Sequence, residues 1–173
     1  YMALDDEERK KLLSPIDSKI IAIGIRYSEE NKIFLSENEK EILEKFWEEW
    51  NKIKNVNKNA QACGFGILRF DIPFIVSRSL INNVTISPFF LKHVVDLREK
   101  INAYRYGKTR GRLKDYATLL GLKTLRIDGS QIPNLCLEKN WDKIKEYLSN
   151  DLEITDELYK RTKKLRILEI DRY

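Results

Sequence analysis

Lys19-Ile20-Ile21-Ala22-Ile23-Gly24-Ile25-Arg26-Tyr27 is the stretch on which the fold turns. It is dense in isoleucine, bounded by turn-type residues and too short for a typical helix. It reads as a strong strand. Ser28 to Asn31 supplies a turn and Lys32 to Leu35 a shorter second strand, so residues 19–35 form a β-hairpin. An antiparallel hairpin argues against a purely doubly wound parallel sheet.

The elements on either side follow from periodicity and punctuation. Tyr1 to Leu4 reads as a short strand. Ser36 begins a helix with the spacing of a capping box to Glu39, and Ile42, Leu43, Phe46, Trp47 and Trp50 follow at helical intervals as core. Ala60 to Ile67 is a third buried strand, and Asp71 opens a helix with Pro73 in its first turn. Val84 to Phe90 is a strand edge or a bridging loop, and Lys92 to Leu97 a short strand. Ala103 to Arg112 is a basic, aromatic loop. Leu113 to Leu120 is a short helix stopped by Gly121, and Ile127 to Pro133 a loop. Trp141 to Tyr147 and Asp151 to Leu168 are helical, continuous or broken at Ser149-Asn150. The expected class is α/β with a mixed sheet, in one domain spanning residues 1–173.

Composition narrows the function. Hydrophobic residues make up 42% and charged residues 34%, as in a soluble globular protein. No run approaches the roughly 18 apolar residues of a membrane helix. Tyr1-Met2-Ala3-Leu4-Asp5 lacks a basic region followed by an apolar stretch, so a cytoplasmic, intracellular protein without a membrane partner is expected. Cys63 and Cys136 lack CxxC spacing and read as small buried hydrophobes. A net charge of +5 is compatible with a polyanionic partner.

Three acidic segments stand against that basic background. Asp5 and Glu7 are two apart, so on a strand they share a face; alone, the run from Asp5 to Lys11 could be a charged surface turn. Asp71 follows a buried strand and starts a helix, where an Asp is ordinary capping. Tyr147 and Asp151 lie one helical turn apart, on one face, which could be a solvated face. Together, four carboxylates from three distant segments suit a cage for two divalent cations, the standard device for cutting a phosphodiester.

In this order and spacing the chain resembles the DnaQ-like, ribonuclease H-fold 3′–5′ exonucleases of the DEDDy type. It is most similar to the proofreading exonuclease domain of family B DNA polymerases and its stand-alone relatives. The residues that carry the likeness are Asp5-Asp6-Glu7, GFGILRFDIPFIVSR with Asp71, and Tyr147 to Asp151, with HVVDL, RLKDYATLLGLK and IDGSQIP between. The resemblance implies a mixed five-stranded sheet with an antiparallel hairpin, flanked by helices. It implies that Asp5, Glu7 and Asp151 bind one cation, that Asp5 bridges to a second, and that Asp71 reaches the second directly or through water. Oxygen ligands favour Mg²⁺ or Mn²⁺. Tyr147 would orient the attacking water, since a phenol is a poor base at neutral pH. His93, the one histidine, lies outside this motif and is expected to be structural.

The chain departs from the family pattern at three places. Asp6 stands where an apolar residue is usual, Glu8 where a Thr is usual, and Gly66 where an Asn is usual. These changes bear on substrate affinity and rate more than on reaction type.

For the nucleic acid, Tyr104, Arg105, Tyr106, Lys108, Arg110 and Arg112 interleave aromatic and basic side chains around two glycines, as single-strand grooves do. A solvated basic loop is the plain alternative. Phe65 and Phe70 flank the second motif; Phe70 suits the core, although relatives use an aromatic near here to wedge terminal bases. The expected activity is metal-dependent 3′–5′ degradation of single-stranded DNA, or of frayed ends, to nucleoside 5′-monophosphates, with DNA preferred over RNA. The rivals are an exoribonuclease and a non-catalytic relative that binds nucleic acid or a protein. A monomer is expected, and a polymerase or repair partner would act in trans.

Overall fold

The computed structural model describes residues 11, 13–107 and 110–172. The strand expected over Tyr1 to Leu4 lies outside them. The hairpin is present: β1 (Ala22–Tyr27) pairs antiparallel with β2 (Glu30–Leu35), Ala22 opposite Leu35 and Tyr27 opposite Glu30. Its two-residue turn holds Ser28 and Glu29 at φ 50° and 67°, the conformation a tight hairpin needs. Neither residue favours that region. Arg26 fastens the turn instead, donating to the Glu29 carbonyl at 2.8 Å and to Asn31 Oδ1 at 2.9 Å.

The remaining elements are α1 (Glu39–Val56), β3 (Ala62–Gly64), α2 (Asp71–Ile81), β4 (Val94–Asp96), α3 (Leu97–Ile101), α4 (Leu113–Leu119), α5 (Ile132–Leu137) and α6 (Trp141–Lys164). Strands β3 and β4 pair in parallel, Gly64 opposite Asp96. The described residues thus form a mixed α/β structure with two small two-stranded sheets, one antiparallel and one parallel.

Several elements differ from the sequence reading. Strand β3 covers only three residues of the expected 60–67. The expected strand over 92–97 is β4 preceded by a 3₁₀ turn, Leu91–His93. His93 is exposed and meets only the edge of Phe90. The expected loop over 127–133 contains a 3₁₀ turn, Gly129–Gln131, and the start of α5. Asp128 and Gln131 cap that turn reciprocally. Helix α6 is continuous through Ser149-Asn150 because the Asn150 amide is employed elsewhere. It accepts from Leu125 N at 3.2 Å and donates to the Lys123 carbonyl at 3.1 Å.

Two apolar clusters hold the chain. The first joins Ile23 to Ile42, Leu43, Phe46 and Trp47 of α1 and Ile75 of α2, with Trp50 and Phe89 packed beside them. The Trp47 indole N–H is satisfied by Ser79 Oγ at 2.9 Å. The second joins Leu97, Ala117, Ile154 and Leu158. Helix α6 joins the second cluster through Ile154 and Leu158 and packs on the hairpin at Gly24, where a Cβ would stand 2.9 Å from Leu152 Cδ1. Both cysteines are free and half-buried, so the expectation of burial holds only in part. Among the described residues no helix is long and apolar enough to cross a membrane.

The expected capping box at Ser36 is replaced by a stronger arrangement. Asn38 is the N-cap of α1, and the buried Glu39 turns its carboxylate toward better donors. It accepts from Ile20 N at 2.6 Å, Arg78 Nε at 2.8 Å, Arg78 Nη2 at 2.5 Å and Asn82 Nδ2 at 2.8 Å. This ties the lead-in to the hairpin, α1 and α2 at one point. Removing one member leaves the other buried and unpaired. Glu39→Ala is expected to lower unfolding free energy by about 3 kcal/mol in a urea titration; a change within ~0.5 kcal/mol would show that the pair is not a fastening.

Candidate active site

The site is built around Asp96, a residue with 3% of its surface exposed. Its Oδ1 accepts from Gly66 N at 2.9 Å and Arg98 N at 3.0 Å, and more distantly from Glu99 N at 3.4 Å; its Oδ2 accepts from Leu68 N at 3.1 Å. One carboxylate thus caps α3 and gathers the loop between β3 and α2. That loop delivers Asp71 to the first position of α2, after Phe70 as N-cap.

Asp71 is exposed at the surface, yet enough protein surrounds it to weaken the solvation of its charge. Burial pushes its carboxyl from the ordinary 3.8 up to about 6; its own backbone N–H opposes the rise and the Asp96 charge adds to it. A cation can reach it, while a bare charge there is disfavoured.

Tyr147 and Asp151 face each other across one turn of α6, as their spacing requires. The Tyr147 hydroxyl stands near enough to the Asp151 carboxylate for each to affect the other's ionisation. Burial raises the Tyr147 hydroxyl well above its ordinary value, and Asp151 and Asp128 raise it further. Burial also raises Asp151, while the Tyr147 hydroxyl and the Lys114 charge oppose the rise. Asp151 Oδ1 is buried and has no hydrogen-bond partner among the described residues. Such an atom is costly unless something satisfies it.

Asp5, Glu7 and Lys108 lie outside the described residues, as do Asp6 and Glu8. Among the described residues no three acidic, histidine or cysteine side chains converge as a metal cage. Tyr147 and Asp151 are together on α6, and Asp71 feels the charge of Asp96.

The expected nucleic-acid residues divide. Phe70 is 45% exposed, so the core reading fails for it; it leans on Phe74 with ring centroids 5.4 Å apart. Phe65 is half-buried against Tyr116 and the second cluster, which makes it a packing residue. Arg110 is turned inward, 7% exposed, and pairs with Glu99 at 2.7 Å. It is therefore not available to a strand on the surface. The physical reason is Glu99, itself buried, whose Oε1 draws in both Arg110 and Arg69. Arg105, Tyr106 and Arg112 are exposed and Tyr104 half-exposed. Tyr106 is flanked by Arg69 at 5.2 Å and Arg172 at 5.7 Å from its ring centre. Arg112 pairs with Asp115 on the surface.

Sequence reading missed Asp96, Glu99 and Lys114. Glu99 acts through Arg69 and Arg110, and Asp96 adds to its local capping of α3 the N–H groups of Gly66 and Leu68, all more than ten residues away, which no local spacing reports. Lys114 stands in RLKDYATLLGLK, where only its neighbourhood had drawn notice.

Because Asp71 keeps its proton to about 6 in the folded chain and only to 3.8 as an ordinary carboxyl, the folded state binds more protons between these values. Stability contributed by this group therefore falls as pH rises through that window. Asp71→Asn carries no such proton. In chelator, the wild-type melting temperature is expected to fall relative to Asp71→Asn from about pH 4 to about pH 6 and to stay lower above it. Parallel curves would show that the carboxyl does not titrate there.

Two comparisons bear on the whole. The chain is 36% identical over 162 residues to a Methanocaldococcus jannaschii protein named "Uncharacterized protein MJ0365", covering 86% of this chain and 88% of that one. Residues 18–172 match the family described as "Predicted 3'-5' exonuclease related to the exonuclease domain of PolB". The match includes Asp71, Tyr147 and Asp151 and begins after the Asp5–Glu7 cluster. With a match over most of its length, the chain belongs to this family of predicted 3′–5′ exonucleases related to the exonuclease domain of PolB.

Proposed function

We propose that the protein is a metal-dependent 3′–5′ exonuclease of the DEDDy type, acting on single-stranded DNA or frayed ends and releasing nucleoside 5′-monophosphates. In this reading Asp5, Glu7, Asp71 and Asp151 hold two Mg²⁺ or Mn²⁺ ions. The observation that carries it is the buried, unpartnered Oδ1 of Asp151 beside the hydroxyl of Tyr147. A hard cation is the ligand that an orphaned carboxylate oxygen fits. Asp71 agrees: a carboxyl that resists ionising alone is stabilised as its anion by a cation. The bound pair of cations would supply activation of a water and charge neutralisation at the leaving 3′-oxygen.

The chain's own residues account for the rest. Tyr147, with its hydroxyl raised well above neutral pH, holds a water in place and does not take its proton. Exposed Phe70, on the turn that precedes Asp71, offers a face on which a terminal base stacks. Tyr106, Arg105 and Arg112 offer aromatic and phosphate contacts further along the strand. The ribonuclease H-like five-stranded sheet belongs to the same reading, supported by the hairpin that leads into a helix and by the parallel β3–β4 pair.

The test is a 5′-labelled single strand of DNA and a matched RNA, each with Mg²⁺, with Mn²⁺ and with chelator. A ladder shortening from the 3′ end on DNA, absent in chelator and reduced at least about 100-fold in Asp151→Asn, is expected. No cleavage of either strand by folded protein in either metal would replace this reading with that of a non-catalytic relative.

A further inference from the structure

Tyr147 is approached from two sides by residues outside the DEDDy set, at its ring and at its hydroxyl. Helix α4 brings Lys114 against its ring, with Nζ 4.7 Å from the ring centre. The same ammonium donates to the Ile127 carbonyl, so the lysine is a strut from α4 to the loop before α5. Two residues further along that loop, Gly129 lies beside the hydroxyl: a Cβ built there would be 3.3 Å from Tyr147 Oη. Gly129 is not one of the glycines with positive φ, so its backbone alone does not call for glycine. A side chain there would crowd the phenol hydroxyl.

We propose that Lys114 and Gly129 are positioning residues, which together fix where the Tyr147 phenol stands beside Asp151: the ammonium against the ring face, the absent side chain at the hydroxyl. The proposal deepens the exonuclease reading and rests on it for the catalytic consequence, though not for the geometry. Lys114 holds the ring by cation–π attraction while anchored to the Ile127 carbonyl. A methyl at 129 would require the hydroxyl to give by a few tenths of an ångström. A shift of that kind misplaces the water that Tyr147 holds, and misplacement lowers turnover more than affinity.

The test uses Lys114→Met, Lys114→Arg and Gly129→Ala in the full chain, each alone and combined with Tyr147→Phe. The first readout needs no activity: the NMR signal of ring-labelled Tyr147, identified by its loss in Tyr147→Phe. It is expected to move in Lys114→Met and in Gly129→Ala, and to return toward its wild-type position in Lys114→Arg. The second readout is turnover of a 5′-labelled DNA strand. Each of Lys114→Met and Gly129→Ala is expected to lower kcat about tenfold with KM within about twofold, and to cost less than about twofold once Tyr147 is already Phe. A Tyr147 signal unmoved in both variants would overturn the proposal. So would losses in kcat that multiply in full with that of Tyr147→Phe. Absence of wild-type cleavage would sink the exonuclease reading and leave the NMR signal to decide the positioning.

Discussion

A single buried carboxylate organises one half of the described structure. Asp96 receives backbone N–H groups from Gly66, Leu68, Arg98 and Glu99, and so joins the end of β4, the start of α3 and the loop that launches α2. Four donors offset the cost of burying the group. The arrangement has a consequence for chemistry. It sets the entry to α2, and with it Asp71, close enough to Asp96 for one charge to disfavour the other. With burial as the larger cause and the Asp96 charge as the lesser, a carboxyl at a helix terminus keeps its proton up to about 6.

The other half depends on Glu39 and on α6. Glu39 fastens the hairpin lead-in, α1 and α2 through Arg78. Helix α6 runs across the hairpin at Gly24 and into the second apolar cluster through Ile154 and Leu158. The salt bridge from Arg26 to Asp156, at 3.0 Å, secures the same crossing. The helix that carries Tyr147 and Asp151 is fixed at the hairpin and in the second cluster. The fastenings thus lie beneath the functional face and not on it.

The hairpin, the aromatic core of α1, the helix at Asp71 and the Tyr147–Asp151 pair were legible in the sequence because each is a local pattern. Isoleucine density, a 3.6-residue period and a one-turn spacing need no knowledge of distant residues. What escaped was long-range. Ser36 and Glu39 have the spacing of a capping box, yet Arg78, 39 residues on, offers Glu39 a charged partner and wins. Arg110 reads as a surface cation, yet Glu99 draws it inside. Asn150 reads as a helix break, yet its amide serves the chain at 123–125. The short elements near 129–137 were a local signal overlooked: Asp128 and Gln131 have capping spacing, and Pro133 suits a first helical turn.

The proposed chemistry depends on a cation at the unsatisfied oxygen of Asp151. The most direct measurement is anomalous diffraction from crystals of the protein grown with Mn²⁺. An anomalous peak is expected at roughly 2.1 Å from Asp151 Oδ1, a distance proper to a hard cation on a carboxylate. A structure with no peak there, and with Oδ1 of Asp151 hydrogen-bonded to a protein donor, would contradict that chemistry.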